Sequence, residues 1–366
     1  MKTDGVHQLD AKTEPRPAPG YLRRLALLFV MAAAVTAASI AQESTPQGAS
    51  STSAQPPSTP VGADAASGAQ GPLAPNPKED AGQFVFKKKV EEVVLRAVVV
   101  DSQNHLISGL DREAFSIYED GNLQKMTSFH RENVPLALGI LIDNSGSMRS
   151  KRQAVNEAAL NLVRSSNAGD QVFVVNFGEE YYLDQDFTDN VAKLKAALDR
   201  VETRGSTALY DAVVASAAHI RESATLQKRV LLVVTDGRDN ASQESLEETV
   251  HELHRADGPV VYVIAFVDQT KSASASIHAL QTISQNTGGT AYFPKDPSEV
   301  DTITKNIAFD IRNQYVIGYK SSNTASGHTF HSIEVQAYDA NHHRLRVRTR
   351  TGYFTEASAT SDSASQ

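Results

Sequence analysis

The chain has 366 residues, 40% of them hydrophobic and 21% charged, which are ordinary globular proportions with room for two or three domains. A formal net charge of -8, with 35 Lys and Arg scattered rather than gathered into a stripe, argues against a nucleic-acid partner. The absence of cysteine excludes disulfides, thiolate metal sites and a cysteine nucleophile.

The first element is an export signal. Arg23 and Arg24 precede an apolar run from Leu25 to Ala41, which ends in small residues at Ser39 and Ala41. This predicts a signal peptide over 1–42, cleaved after Ala41, and a secreted or periplasmic chain. The alternative is retention of 25–41 as an anchor, the one case that implies membrane contact. Over 43–82 the chain is rich in Pro, Ser, Ala and Gly, and Val61 and Leu73 are its bulky apolar residues. Such a segment buries too little to offset the entropy of ordering it, so a disordered linker is expected, with a similar tail over 357–366.

From 83 to 133 the pattern is strand-like. "FKKKV" at 86–90 reads as a solvated strand edge, and "EVVLRAVVVD" at 92–101 is valine-rich. Asp120-Gly121 separates two alternating runs as a hairpin turn would. From 134 to 312 the pattern changes. Apolar runs at "LALGILID", "QVFVVNFG", "RVLLVVTDG" and "PVVYVIAFV" alternate with stretches of helical period. Val155, Ala159 and Leu162 mark the first helix; Val191, Leu194, Leu198 and Val201 the second; Leu209, Val213, Ala217 and Ile220 the third. Further helices are expected near 243–256, 274–286 and 297–312, with a short strand at 291–293. The implied fold class is α/β: a doubly wound, mostly parallel sheet with helices on both faces and sites at the carboxyl ends of its strands. Strands return at 314–320, 330–339 and 345–354, in a C-terminal segment over 313–356. The simplest arrangement packs them with 83–133 in a small β-sandwich around the α/β insertion.

The first buried strand stops at Asp143, and Ser145 and Ser147 follow at alternate positions in a loop loosened by Gly146. These are hard oxygen donors, suited to Mg2+, Mn2+ or Ca2+. Alone, the pattern also describes a turn and helix cap. Two other loops at the same end of the fold add Thr207, in "RGSTALYDAV", and Asp236, in "VVTDGRDN".

This order, Asp-x-Ser-x-Ser, then threonine, then aspartate, resembles the metal-ion-dependent adhesion site of the von Willebrand factor type A domain. The resemblance covers about 134–312. The flanking stretches "GLDREAFSIYEDGNLQKMTSF" and "RNQYVIGYKSSN" resemble exported bacterial proteins related to that family, of the kind abundant in acidobacteria. It implies a divalent cation, Mg2+ first, held by Asp143, Ser145, Ser147, Thr207 and Asp236, and a protein partner supplying a Glu or Asp to the metal. Asp211 and Asp239, in the same loops, would cap helices or turns or hydrogen-bond behind the ligands. The implied protein is a non-enzymatic adhesion or assembly factor. The alternatives are a scaffold with a purely structural metal and a metal-dependent hydrolase. Against an enzyme, "NSGSM" is no Gly-x-Ser-x-Gly elbow, and "HELH" at 251–254 spaces its histidines three apart, as on a solvated helix face. His342-His343 reads as part of a polar hairpin turn.

Overall fold

The computed structural model describes residues 92–131, 133–164, 166–200, 205–267, 273–323 and 328–355. The expected signal segment, the linker, the tail, "FKKKV" and Val201 lie outside them. The α/β part is built on β5 (Ala137–Asp143), β6 (Gln171–Phe177), β8 (Arg229–Thr235), β9 (Val260–Ala265) and β10 (Ala291–Tyr292), all parallel, with β7 (Tyr181–Thr188) antiparallel at one edge. The order is β10-β9-β8-β5-β6-β7. Every residue of β5 is buried, because neighbours lie on both sides and helices on both faces.

Alternation along β5 divides its side chains between two cores. Leu138, Ile140 and Ile142 meet α1 (Arg152–Arg164), α2 (Val191–Asp199) and α6 (Val300–Arg312). Ala137 and Leu141 meet α3 (Leu209–Ser223), α4 (Leu246–Leu253) and α5 (Ser274–Asn286). The helices form where apolar residues recur at three- and four-residue spacing: Val155, Ala159 and Leu162 in α1, and Leu209, Val213, Ala217 and Ile220 in α3, are all buried. α4 begins at a capping box. Ser245 Oγ accepts the Glu248 N–H at 3.1 Å, and the Glu248 carboxylate accepts the Ser245 N–H at 2.8 Å.

The second layer is antiparallel. It takes β1 (Glu92–Val100), β2 (Phe115–Glu119), β3 (Asn122–Gln124) and β4 (Met126–Arg131) from before the α/β part, and β11 (Tyr315–Lys320), β12 (Phe330–Tyr338), β13 (Arg344–Arg348) and β14 (Gly352–Phe354) from after it. Where the sequence suggests a sandwich of two sheets, hydrogen bonds join these strands into one nearly closed sheet in the order β3-β2-β12-β13-β1-β11-β4, with β14 on β12. The cause is β1, which pairs with β11 over Glu92–Ala97 and with β13 over Val98–Val100. Leu95, Ile117, Tyr315, Ile317 and Tyr319 lie in its core. The β2–β3 turn has positive φ at both Asp120 (49°) and Gly121 (77°), the conformation a two-residue hairpin requires.

The run expected as one strand over 345–354 is two, broken where Arg350 and Thr351 turn onto the α/β part. Arg350 donates to the carbonyls of Arg255 (2.6 Å), Ala256 (2.5 Å) and Gly352 (3.1 Å), and the Thr351 N–H donates to Asn286 O (3.0 Å). Arg348 pairs with Asp310 at 2.7 Å. The 255–256 and 286 contacts lie just before β9 and β10, at the amino ends of the parallel strands, so the carboxyl ends face the other way. "HELH" also differs from expectation. His254 is 5% exposed, against the rings of Phe330 and Phe354, while His251 is exposed. No described helix is long and apolar enough to cross a membrane.

Candidate functional site at the carboxyl edge

β5 delivers Asp143, fully buried, to the carboxyl edge between β6 and β8. Its two oxygens are held separately. Oδ1 accepts the Ser145 N–H at 2.7 Å, and Oδ2 accepts the Thr235 hydroxyl at 2.7 Å. Thr235, the last residue of β8, also accepts the Gly237 N–H at 3.0 Å. The loop after Asp143 is pinned by the Asn144 N–H on Phe177 O (2.6 Å) and by a 3-10 turn over Gly146–Met148, with Met148 buried beneath it. That turn brings Ser147 Oγ to 3.1 Å from Ser145 Oγ, and the Ser147 hydroxyl donates to Asp236 Oδ2. Asp143, Ser145, Ser147 and Asp236, named from two separate segments, thus form one hydrogen-bonded cluster.

Thr207 approaches by its backbone. Its N–H donates to Asn240 Oδ1 (2.7 Å), and its carbonyl accepts the Asn240 N–H (3.0 Å), which ties it to the loop that carries Asp236. The Ala208 N–H donates to Gly178 O at 2.6 Å, fixing the same residues beside the end of β6. Thr207 is 3% exposed. Asp211 and Asp239 bond to backbone N–H groups and to the Ser242 hydroxyl rather than to any of these five. Asp239 Oδ2 accepts the Tyr210 N–H (3.0 Å) and the Ser242 hydroxyl (2.6 Å), and Asp211 Oδ1 accepts the N–H groups of Gln243 (3.0 Å) and Glu244 (2.9 Å). They splice the start of α3 to the loop after β8, so they position Thr207 and Asp236 together.

Sequence reasoning did not single out Thr235, Asn240, Ser242 or Arg152. Arg152 lies 7% exposed at the start of α1 and donates to Asp143 O (3.3 Å), Asn176 Oδ1 (2.6 Å) and the side chain of Asn144. An arginine in a first helical turn ordinarily reads as solvent-facing, so no local signal marks it. Burial pulls its guanidinium down to about 10, against the opposing charges of Asp143 and Asp184. Burial also raises the Asp143 carboxyl above the usual range; the Ser145 and Thr235 hydrogen bonds oppose this, and the Asp236 charge adds to it. Two carboxylates and two serine hydroxyls joined in one hydrogen-bonded run are a donor set that fits a hard divalent ion.

No curated protein sequence matches the chain. Solved structures similar to it include an aerotolerance-related membrane protein from Bacteroides fragilis NCTC 9343, at 16% identity over 48% of this chain and 98% of that one (TM-score 0.39). Another is a von Willebrand factor type A protein from Catenulispora acidiphila, at 15% identity over 76% of each chain (TM-score 0.43). A third is proximal thread matrix protein 1 of the mussel byssus with a zinc-occupied MIDAS motif, at 16% identity over 54% of this chain and 50% of that one (TM-score 0.41). The family model of the von Willebrand factor type A domain matches residues 138–238, the stretch that runs from β5 past Asp236. This chain carries a von Willebrand factor type A domain.

Proposed function

We propose that this is an exported, non-enzymatic binding protein that holds a divalent cation, Mg2+ by preference, at Asp143, Ser145, Ser147, Thr207 and Asp236, and captures a Glu or Asp of a protein partner there. The observation that carries the reading is the hydrogen-bonded run from Thr235 through Asp143, Ser145 and Ser147 to Asp236 at the carboxyl edge. When bound, the ion would supply a positive centre with a coordination position open to a partner carboxylate. The chain's own residues do the rest. Thr235 and the Ser145 N–H fix the Asp143 oxygens, and Asp211 and Asp239 hold the Thr207 and Asp236 loops in register. Ser147 is exposed, so the site opens outward. Exposed Arg149 and Arg238 flank it in sequence and favour an acidic partner.

The reading as a binding site rather than a hydrolase rests on "NSGSM", which is no Gly-x-Ser-x-Gly elbow. Export rests on Arg23 and Arg24 followed by the apolar run from Leu25 to Ala41. The test is capture from an envelope extract by the immobilised chain. Prey should be retained in Mg2+ and released by EDTA, and the Asp143→Ala variant should retain none. Retention indifferent to both chelation and the substitution would sink the proposal in favour of a scaffold.

A further inference from the structure

The β2–β3 hairpin places two carboxylates against β12. Glu119 ends β2, Asp120 begins the turn, and His331 is the second residue of β12. One ligand atom from each lies within 4.8 Å of the others. His331 Nδ1 is 2.8 Å from Asp120 Oδ2 and 3.8 Å from Glu119 Oε1. The second separation is beyond hydrogen-bond range, so the buried imidazole and the buried carboxylate face each other across a gap.

Both of these groups are inside the protein. Glu119 is 1% exposed and His331 is 2% exposed. Neutral hydroxyls orient the Glu119 carboxylate: Tyr319 at 2.6 Å, Tyr353 at 3.4 Å, and Ser321. They satisfy its lone pairs without cancelling its charge. Asp120 is fixed through its other oxygen, which accepts the Ser332 N–H at 2.8 Å, and the Asn323 amide lies 3.2 Å from both Asp120 Oδ2 and His331 Nδ1, so an ion there would require that amide to turn its oxygen inward. One nitrogen and two carboxylate oxygens, with a side-chain amide beside them, are the donors of a borderline divalent ion. Ligand atoms roughly 2.0–2.2 Å from a tetrahedral ion stand about 3.3–3.6 Å from one another, a value that the 2.8 and 3.8 Å separations of His331 Nδ1 from its two carboxylate neighbours bracket.

We propose that Glu119, Asp120 and His331 form a second cation site, selective for Zn2+ or a similar borderline ion, that clasps the N-terminal hairpin to the C-terminal strand β12. The ion would take the Nδ1 lone pair of the neutral His331 imidazole, whose proton then sits on Nε2. The site is independent of the carboxyl-edge cluster in residues and in donor chemistry, so either can fail without the other.

The test titrates the full chain, stripped of metal, with Zn2+ by calorimetry in an Asp143→Ala background that disables the carboxyl-edge site. One Zn2+ per chain is expected. Adding His331→Gln or Asp120→Asn should weaken uptake at least about tenfold. Co2+ in place of Zn2+ should give a visible absorption band in Asp143→Ala that disappears with the second substitution. If His331→Gln does not fold, Asp120→Asn decides, since Asn keeps an oxygen for the Ser332 N–H. No saturable uptake by Asp143→Ala, or uptake undiminished by Asp120→Asn, overturns the proposal and leaves His331 as a hydrogen-bond partner of Asp120.

Discussion

Asp143 is oriented by the fold before any ligand arrives, because Thr235 and the Ser145 N–H each hold one of its oxygens. Thr235→Val keeps the shape of β8 and removes the hydroxyl that serves both Asp143 and the Gly237 N–H. It should weaken divalent-cation binding about tenfold by calorimetry while leaving the fold intact; unchanged affinity would show that Asp143 is oriented by other contacts. Gly139, on the same strand, matters through its missing Cβ. A methyl there would stand 2.3 Å from Phe173 Cζ and 2.6 Å from Leu231 Cδ2, and Phe173 is locked against Phe187 and His219. Gly139→Ala should therefore cost about 1–3 kcal/mol in urea unfolding; a neutral result would mean that the Phe173 ring can move aside. At this scale the sequence was legible where residue type and spacing coincide, as at Asp143, Ser145 and Ser147. Thr235 and Arg152 were hidden, since a threonine closing an apolar strand and an arginine opening a helix both have ordinary readings.

Among the elements, the buried parallel strands were the easiest to read, because burial on both faces writes a continuous apolar run. β7 was not read at all. It is an edge strand with Tyr181, Tyr182 and Leu183 exposed and acids at Asp184 and Asp186, so it shows no core-facing alternation. α4 shows the opposite failure. Its "HELH" segment reads as a polar face, yet tertiary packing buries His254 under Phe330 and beside Thr351 (3.1 Å). Burial, then the charge of Arg350, lowers the His254 imidazole from 6.5 to about 4, with His251 adding a smaller push in the same direction. The folded chain therefore binds fewer protons than the unfolded chain between these values. Stability present above about pH 6.5 should fall as the pH drops toward 4, by up to about 3 kcal/mol. Unfolding of the wild type and of His254→Gln at pH 7 and pH 5 checks this: the variant should show the flatter dependence, and parallel slopes would contradict the assignment.

For the whole molecule, the decisive feature is that the antiparallel sheet is assembled from both sides of the α/β part. β12 pairs with β2, β11 pairs with β1 and β4, and Arg350 fastens the sheet to the amino ends of the parallel strands. Strand patterns alone showed that such a module existed. They did not show that β1 changes partners midway, because that depends on pairing across more than 200 residues. Strands so interleaved should unfold with the α/β part, so scanning calorimetry should give one transition; two well-separated transitions would mean that the junction is weak. The same arrangement puts the junction at one end of the parallel sheet and the Asp143 cluster at the other, leaving the cluster clear for a partner. The most direct test is calorimetric titration of the metal-free chain with Mg2+. Saturable binding of one ion at the cluster, abolished by Asp143→Ala and by Asp236→Ala, is the predicted result. No saturable binding, or binding that survives both substitutions, would contradict it.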